Sequence, residues 1–224
     1  MTPRAREFIA LILGLGVCAV LAAPAAGIPI VLDMKSKSFD QLGASAVVAG
    51  PLTEAFEHEM LIQGQLVTTF SGTVTSEVFS RTDGRYLYLY QAVNDGPSVL
   101  EEMTVLPFYA LDADDAGAAI GVVPAPFQAG GLLPYGAVYE SDVPGAPTVA
   151  YNYHSVLGAA LPAGEKTAVL YLISPNPPVL GEAHVIDTGV DHVPAWVAEV
   201  PEPATLGLLS AGLMASLIRK RRRA

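Results

Sequence analysis

The sequence predicts an all-β fold, an antiparallel β-sandwich, and three observations carry that prediction. Many short runs alternate apolar and polar residues or are rich in Val, Thr, Tyr and Phe. Turn chemistry punctuates them, with Gly 21 and Pro 18 in 224 residues. Between the two ends almost no stretch carries a helical apolar stripe. Jelly-roll and immunoglobulin-like topologies are both left open. An N-terminal signal helix and a C-terminal hydrophobic helix are expected to flank the sandwich.

The strand candidates follow in order. Phe56 to Ile62 puts Phe56, His58, Met60 and Ile62 on one face and Glu57 and Glu59 on the other, although Glu54, Glu57 and His58 also have helical spacing. Leu66 to Phe79 is rich in Thr, Val and Phe, with Gly72 as a candidate bulge. Thr82-Asp83-Gly84-Arg85 supplies the clearest turn, an Asp-Gly pair between two strands. Tyr86 to Val93 then sets Tyr86, Tyr88 and Tyr90 on one face and Leu87 and Leu89 on the other. Apolar bulk on both sides predicts a central strand covered by a second sheet.

Asn94-Asp95-Gly96-Pro97 closes that strand. Val99 to Leu111 resumes the pattern with an interruption at Pro107. Val149 to Tyr153, Thr167 to Ser174 and Ala183 to Val190 are the remaining candidates. Six prolines between Pro175 and Pro203 suggest a stiff tether, within which Ala183 to Val190 would add an edge strand. Trp196 would either dock the tether on the sandwich or sit at a membrane interface.

Charge is distributed unevenly. Seven of the twelve basic residues lie at the ends: Arg4, Arg6, Arg219, Lys220, Arg221, Arg222 and Arg223. Residues 26–200 keep five basic residues against twenty Asp and Glu, a formal −15 where the whole chain has −10. Such a body repels nucleic acid, so no nucleic-acid partner is expected. The single cysteine, Cys18, lies in the N-terminal apolar run, which leaves no thiol for a disulfide or thiolate-metal site in a cleaved product.

Residues 1–25 read as a secretory signal peptide. Arg4 and Arg6 precede an apolar run from Phe8 to Leu21, and Ala23-Pro24-Ala25 offers a small-x-small cleavage site. As a helix that run covers only about 21 Å, short for a permanent span. At the other end Pro201-Glu202-Pro203 precedes a fifteen-residue apolar run, Ala204 to Ile218, and the basic cluster Arg219-Lys220-Arg221-Arg222-Arg223. The positive-inside rule would keep that cluster cytoplasmic and the acidic body outside.

These three features in this order at the C-terminus resemble the PEP-CTERM sorting tail recognised by exosortases. The stretch Ser71 to Phe79, with Asp83-Gly84 and Leu89 to Asn94, also resembles a recurring segment of PEP-CTERM ectodomains. The resemblance implies a division into a signal peptide (1–25), a β-sandwich ectodomain (26–190), a linker (191–200) and a sorting tail (201–224) with a transmembrane helix at 204–218. It implies export across the inner membrane, transient anchoring, and release to the outer surface or extracellular matrix. Signal peptidase, the secretion translocon and an exosortase-like membrane protease are the implied partners, with exopolysaccharide as a candidate ligand.

Sites in the body are sparse. Asp112, Asp114 and Asp115 could gather oxygen ligands around Ca²⁺, but Ala116 and Val123 stand at the fifth and twelfth positions of an EF-hand loop. A surface calcium site is retained there beside the reading of a solvated acidic loop. His184, Asp187 and His192 match no zinc spacing and would need His58 or His154 as a third histidine, so no metal site is expected. No nucleophile elbow is present, and Glu101 and Glu102 would face opposite sides of a strand. Tyrosines 86, 88 and 90 are read as core rather than as a platform for sugar rings. No cofactor or catalytic residue is expected. The function expected is non-enzymatic, a structural protein of envelope or biofilm. A carbohydrate- or calcium-binding adhesion module and a hydrolase acting on exopolysaccharide are the alternatives.

Overall fold

Alternating side chains turn most of this chain into strands with one face toward a shared core. The computed structural model describes residues 29–111, 113–140, 147–154, 160–187 and 189–199. The expected signal helix, the 204–218 helix, Pro201-Glu202-Pro203, the basic cluster 219–223 and Asp112 lie outside the described residues.

In chain order the strands are β1 (Ile30–Leu32), β2 (Lys35–Ser38), β3 (Ala44–Ile62), β4 (Gln65–Arg81), β5 (Tyr86–Asn94) and β6 (Glu102–Leu106). They continue as β7 (Ala116–Ile120), β8 (Gly136–Glu140), β9 (Thr148–Asn152), β10 (Val169–Ser174), β11 (Pro178–Ile186) and β12 (Val190–Ala198). One six-stranded sheet has the order β1-β8-β9-β6-β11-β12, and the other β2-β7-β10-β5-β4-β3. Nearly all pairs are antiparallel, and β2 with β7 is parallel. The architecture is thus a predominantly antiparallel, sandwich-like all-β fold.

Strand β5 is central, between β10 and β4. Tyr88 and Tyr90 are fully buried between the sheets beside Phe70, Met103, Val105 and Val185. Their hydroxyls donate to main-chain oxygens at the core's edge, Tyr88 to Asn176 (2.8 Å) and Tyr90 to Trp196 (2.6 Å). On the opposite face Leu87 and Leu89 join Leu42, Phe79 and Phe127 in a second cluster. The expected second sheet therefore covers only the tyrosine face. A one-turn helix, Phe39–Leu42, and the loop bearing Phe127 cover the other.

Three further expectations change. Phe56 to Ile62 is a strand, as its alternation predicts and not the competing helix, but it is only the end of a longer one, because β3 extends back to Ala44. Gly72 sits in regular pairing with Phe56 and Asn94, not in a bulge. A Cβ there would lie 2.0 Å from the Val93 carbonyl oxygen and 2.6 Å from the Phe56 ring, so close approach explains the glycine. The third change is the largest: most of the expected linker 191–200 is strand, because Val190–Ala198 is β12.

The proline spacing misleads for a physical reason. Pro178 and Pro194 fall in the outermost pair of strands, where Pro194 stands on the terminal strand of the sheet. Beneath the exposed His192 and Pro194, Val193, Ala195 and Val197 are buried. Trp196 docks on the body, its side chain packing against the main core while its backbone N–H donates to Ser76 Oγ at 3.2 Å. Glu57 N–H donates to Asp191 Oδ2 at 2.6 Å, so β12 is also tied to the other sheet.

Candidate metal centre on the terminal hairpin

Between β11 and β12 the Asp187 N–H donates to the Gly189 carbonyl at 3.0 Å. Ala183 and Val185 on one strand and Val193, Ala195 and Val197 on the other are buried, which directs the intervening side chains outward. Glu182 and His184 thus share the outer face, and His192 stands directly opposite His184 in the ladder. Side-chain exposure is 20% for His184, 55% for His192 and 59% for Glu182.

One carboxylate oxygen joins the three. Glu182 Oε2 lies 3.2 Å from His184 Nε2 and 3.8 Å from His192 Nδ1. The two imidazoles meet edge to face with centroids 4.0 Å apart. One ligand atom from each residue falls within 4.8 Å of the others. A shallow depression beside them is lined by Leu180, Gly181, Glu182, His192, Val193 and Pro194.

This grouping differs from the one weighed in the sequence. His184 and His192 do meet, but Glu182 completes the set in place of Asp187, which lies in the turn. His58 and His154 are engaged elsewhere: the His58 ring stacks on Phe70 at 5.2 Å, and His154 Nδ1 lies 3.5 Å from Glu101. The missing signal was pairing. Glu182 and His184 are two apart, and a hairpin centred on residue 188 sets 184 opposite 192.

In the acidic loop the described carboxylates, Asp114 and Asp115, both face cations of the chain. Lys35 Nζ contacts Asp114 Oδ1 at 2.5 Å, and this hydrogen bond lowers the Asp114 pKa. Asp115 pairs with Arg85, which also reaches Asp83 at 3.0 Å. Two of the three expected calcium ligands are therefore matched by cations of the chain itself. The sugar platform meets a similar objection, since Tyr88 and Tyr90 have no exposed surface.

Glu77 escaped the sequence reading. It is a buried carboxyl on the outer face of the second sheet, opposite Leu89, and burial pushes its pKa up. Nothing in its alternation with Val74 and Val78 marks it as buried, because its cover comes from outside the sheet. Among the described residues weighed as sites, no arrangement of nucleophile, base and orienting group emerges.

The described residues form a predominantly antiparallel, sandwich-like all-β body. Residues 199–223 match the PEP-CTERM protein-sorting motif, so the chain carries the recognition signature of an exosortase substrate. No curated protein and no solved structure matches the chain.

Proposed function

We propose that this protein is delivered to the cell surface or extracellular matrix by an exosortase-like system and has a structural, non-enzymatic role there. The observation that carries the reading is the PEP-CTERM match at 199–223, with Pro201-Glu202-Pro203, an apolar run and a basic cluster in order. Residues 1–25 act as the signal peptide, and 204–218 holds the chain in the membrane until processing. The exosortase-like enzyme acts around Pro201 to Pro203 and removes the cluster Arg219–Arg223. The acidic body then stays outside as a solubilising, cation-attracting module.

Tethering gives this reading a mechanical detail. Glu199 still belongs to the body: its N–H donates to the Pro177 carbonyl at 2.9 Å, and its carbonyl accepts from Asn176 Nδ2 at 3.0 Å. Only Val200 separates it from Pro201, a reach of about 7 Å at full extension. The body therefore rides close to the membrane surface during sorting.

Intact-mass measurement of protein recovered from cell surface and medium tests the reading. Loss of the first 25 residues and a second loss at Pro201 to Pro203 are expected. Recovery of a surface protein that retains Arg219–Arg223 would leave a plain membrane anchor and overturn the processing step.

A further inference from the structure

We propose that Glu182, His184 and His192 bind one Zn²⁺ ion on the outer face of the β11–β12 hairpin. Two imidazoles and a carboxylate form a nitrogen–oxygen donor set suited to a borderline divalent transition metal and poorly suited to Ca²⁺. Ligands about 2.1 Å from a tetrahedral Zn²⁺ stand roughly 3.4 Å from one another. The Glu182–His184 and Glu182–His192 separations, 3.2 and 3.8 Å, bracket that edge length. The carboxylate would have to move little to exchange its contacts with the rings for a shared ion.

Preorganisation comes from the ladder. His184 and His192 are opposite one another in an unbroken register, and Glu182 shares their face two residues away. The hairpin is held by buried Val185, Val193 and Val197 underneath, so these donors stand on paired strands rather than on a loop. His184 is the most enclosed of the three, while Glu182 and His192 border solvent. The fourth coordination position consequently opens outward, to water or to a donor from another molecule. The acidic body concentrates cations around the site.

Isothermal titration of the full chain with zinc chloride tests this, using the two exposed ligands so that the fold is spared. The wild type should bind one zinc per chain at this site. His192→Ala and Glu182→Gln should each weaken that binding by more than about tenfold, since even loss of a ligand's supporting contact costs that much. His154→Ala, away from the trio, should bind as the wild type does, and millimolar calcium should not compete. Circular dichroism checks that each variant is folded, and Co²⁺ substitution should give visible absorption bands that vanish in His192→Ala. Absence of saturable zinc binding in the wild type would overturn the proposal. Equal affinity in folded Glu182→Gln and wild type, an equal loss in His154→Ala, or displacement by calcium would overturn it too.

Discussion

The β11–β12 hairpin and the tip of the β3–β4 ribbon, beyond the buried Phe70, are both antiparallel pairs closed by short turns, but only the first has a face to bury. In β11–β12 nine pairs run from Pro178↔Ala198 to Ile186↔Val190 without a shift. Ribbon β3–β4 has four irregularities, one of them between His58 and Glu59. Beyond Gly72, where β5 ceases to pair with β4, the ribbon extends to a tip at Gln63 and Gly64. Met60, Leu61, Ile62, Leu66 and Val67 are all exposed there. A slip of one residue in β11–β12 would turn Val185 and Val193 outward, whereas the same slip at the tip would exchange one exposed set for another. One-sided burial therefore sets the geometry of the Glu182–His184–His192 cluster, and the ribbon tip lacks that constraint.

Substitutions that bury a charge should break the symmetry between the hairpins most strongly. Val185→Asp places a carboxylate in the core and should cost about 3–5 kcal/mol, while Leu61→Asp at the tip should stay within about 0.5 kcal/mol. Urea denaturation monitored by Trp196 fluorescence measures both. Comparable losses would mean that the ribbon tip is buried in the working protein.

Glycine replacements should sharpen the boundary between the ribbon's two halves. Gly72→Ala drives a Cβ into backbone and the Phe56 ring and should cost about 1–3 kcal/mol. Gly64→Ala meets no atom within 4 Å, so only its φ of +81° opposes the change, at about 1 kcal/mol. Thermal denaturation should rank them in that order.

The smallest effect belongs to the β4–β5 turn, where turn chemistry acts without burial. Hydrogen bonds from Arg81, aided by Arg85, hold the Asp83 carboxyl well below its ordinary pKa of 3.8. A carboxyl lowered on folding stabilises the native state above its unfolded value, and that contribution shrinks as pH falls below 3.8 toward the folded value. Asp83 is 38% exposed, so screening keeps the effect of Asp83→Asn below about 1 kcal/mol at neutral pH. Stability of wild type and variant should converge as pH is lowered from 5 toward about 2. A gap that widens on acidification would assign the turn's contribution to something other than this ionised carboxylate.

Local chemistry made much of the molecule legible. Runs rich in Tyr, Leu and Val located β5, β9 and β10, and Asp83-Gly84 located the turn between β4 and β5. The tail needed no tertiary information, because Pro201-Glu202-Pro203, the apolar run and the basic cluster are contiguous. Alternation was less informative for β7, where Ala116, Gly117, Ala118 and Ala119 are all buried and too small to mark a face. It was also obscured in β12 by Pro194, which reads as a tether until its place on a terminal strand is known.

The sequence by itself determined the all-β class, the acidity of the body and the sorting address, since each resides in composition or in neighbouring residues. Only the tertiary structure decided that 190–198 is a strand, that Asp114 and Asp115 face cations, and that Glu182, His184 and His192 converge. Those outcomes depend on which strands pair and in which register. Register is set by the whole buried face of the hairpin against the opposite sheet, and no short stretch of the chain contains that information.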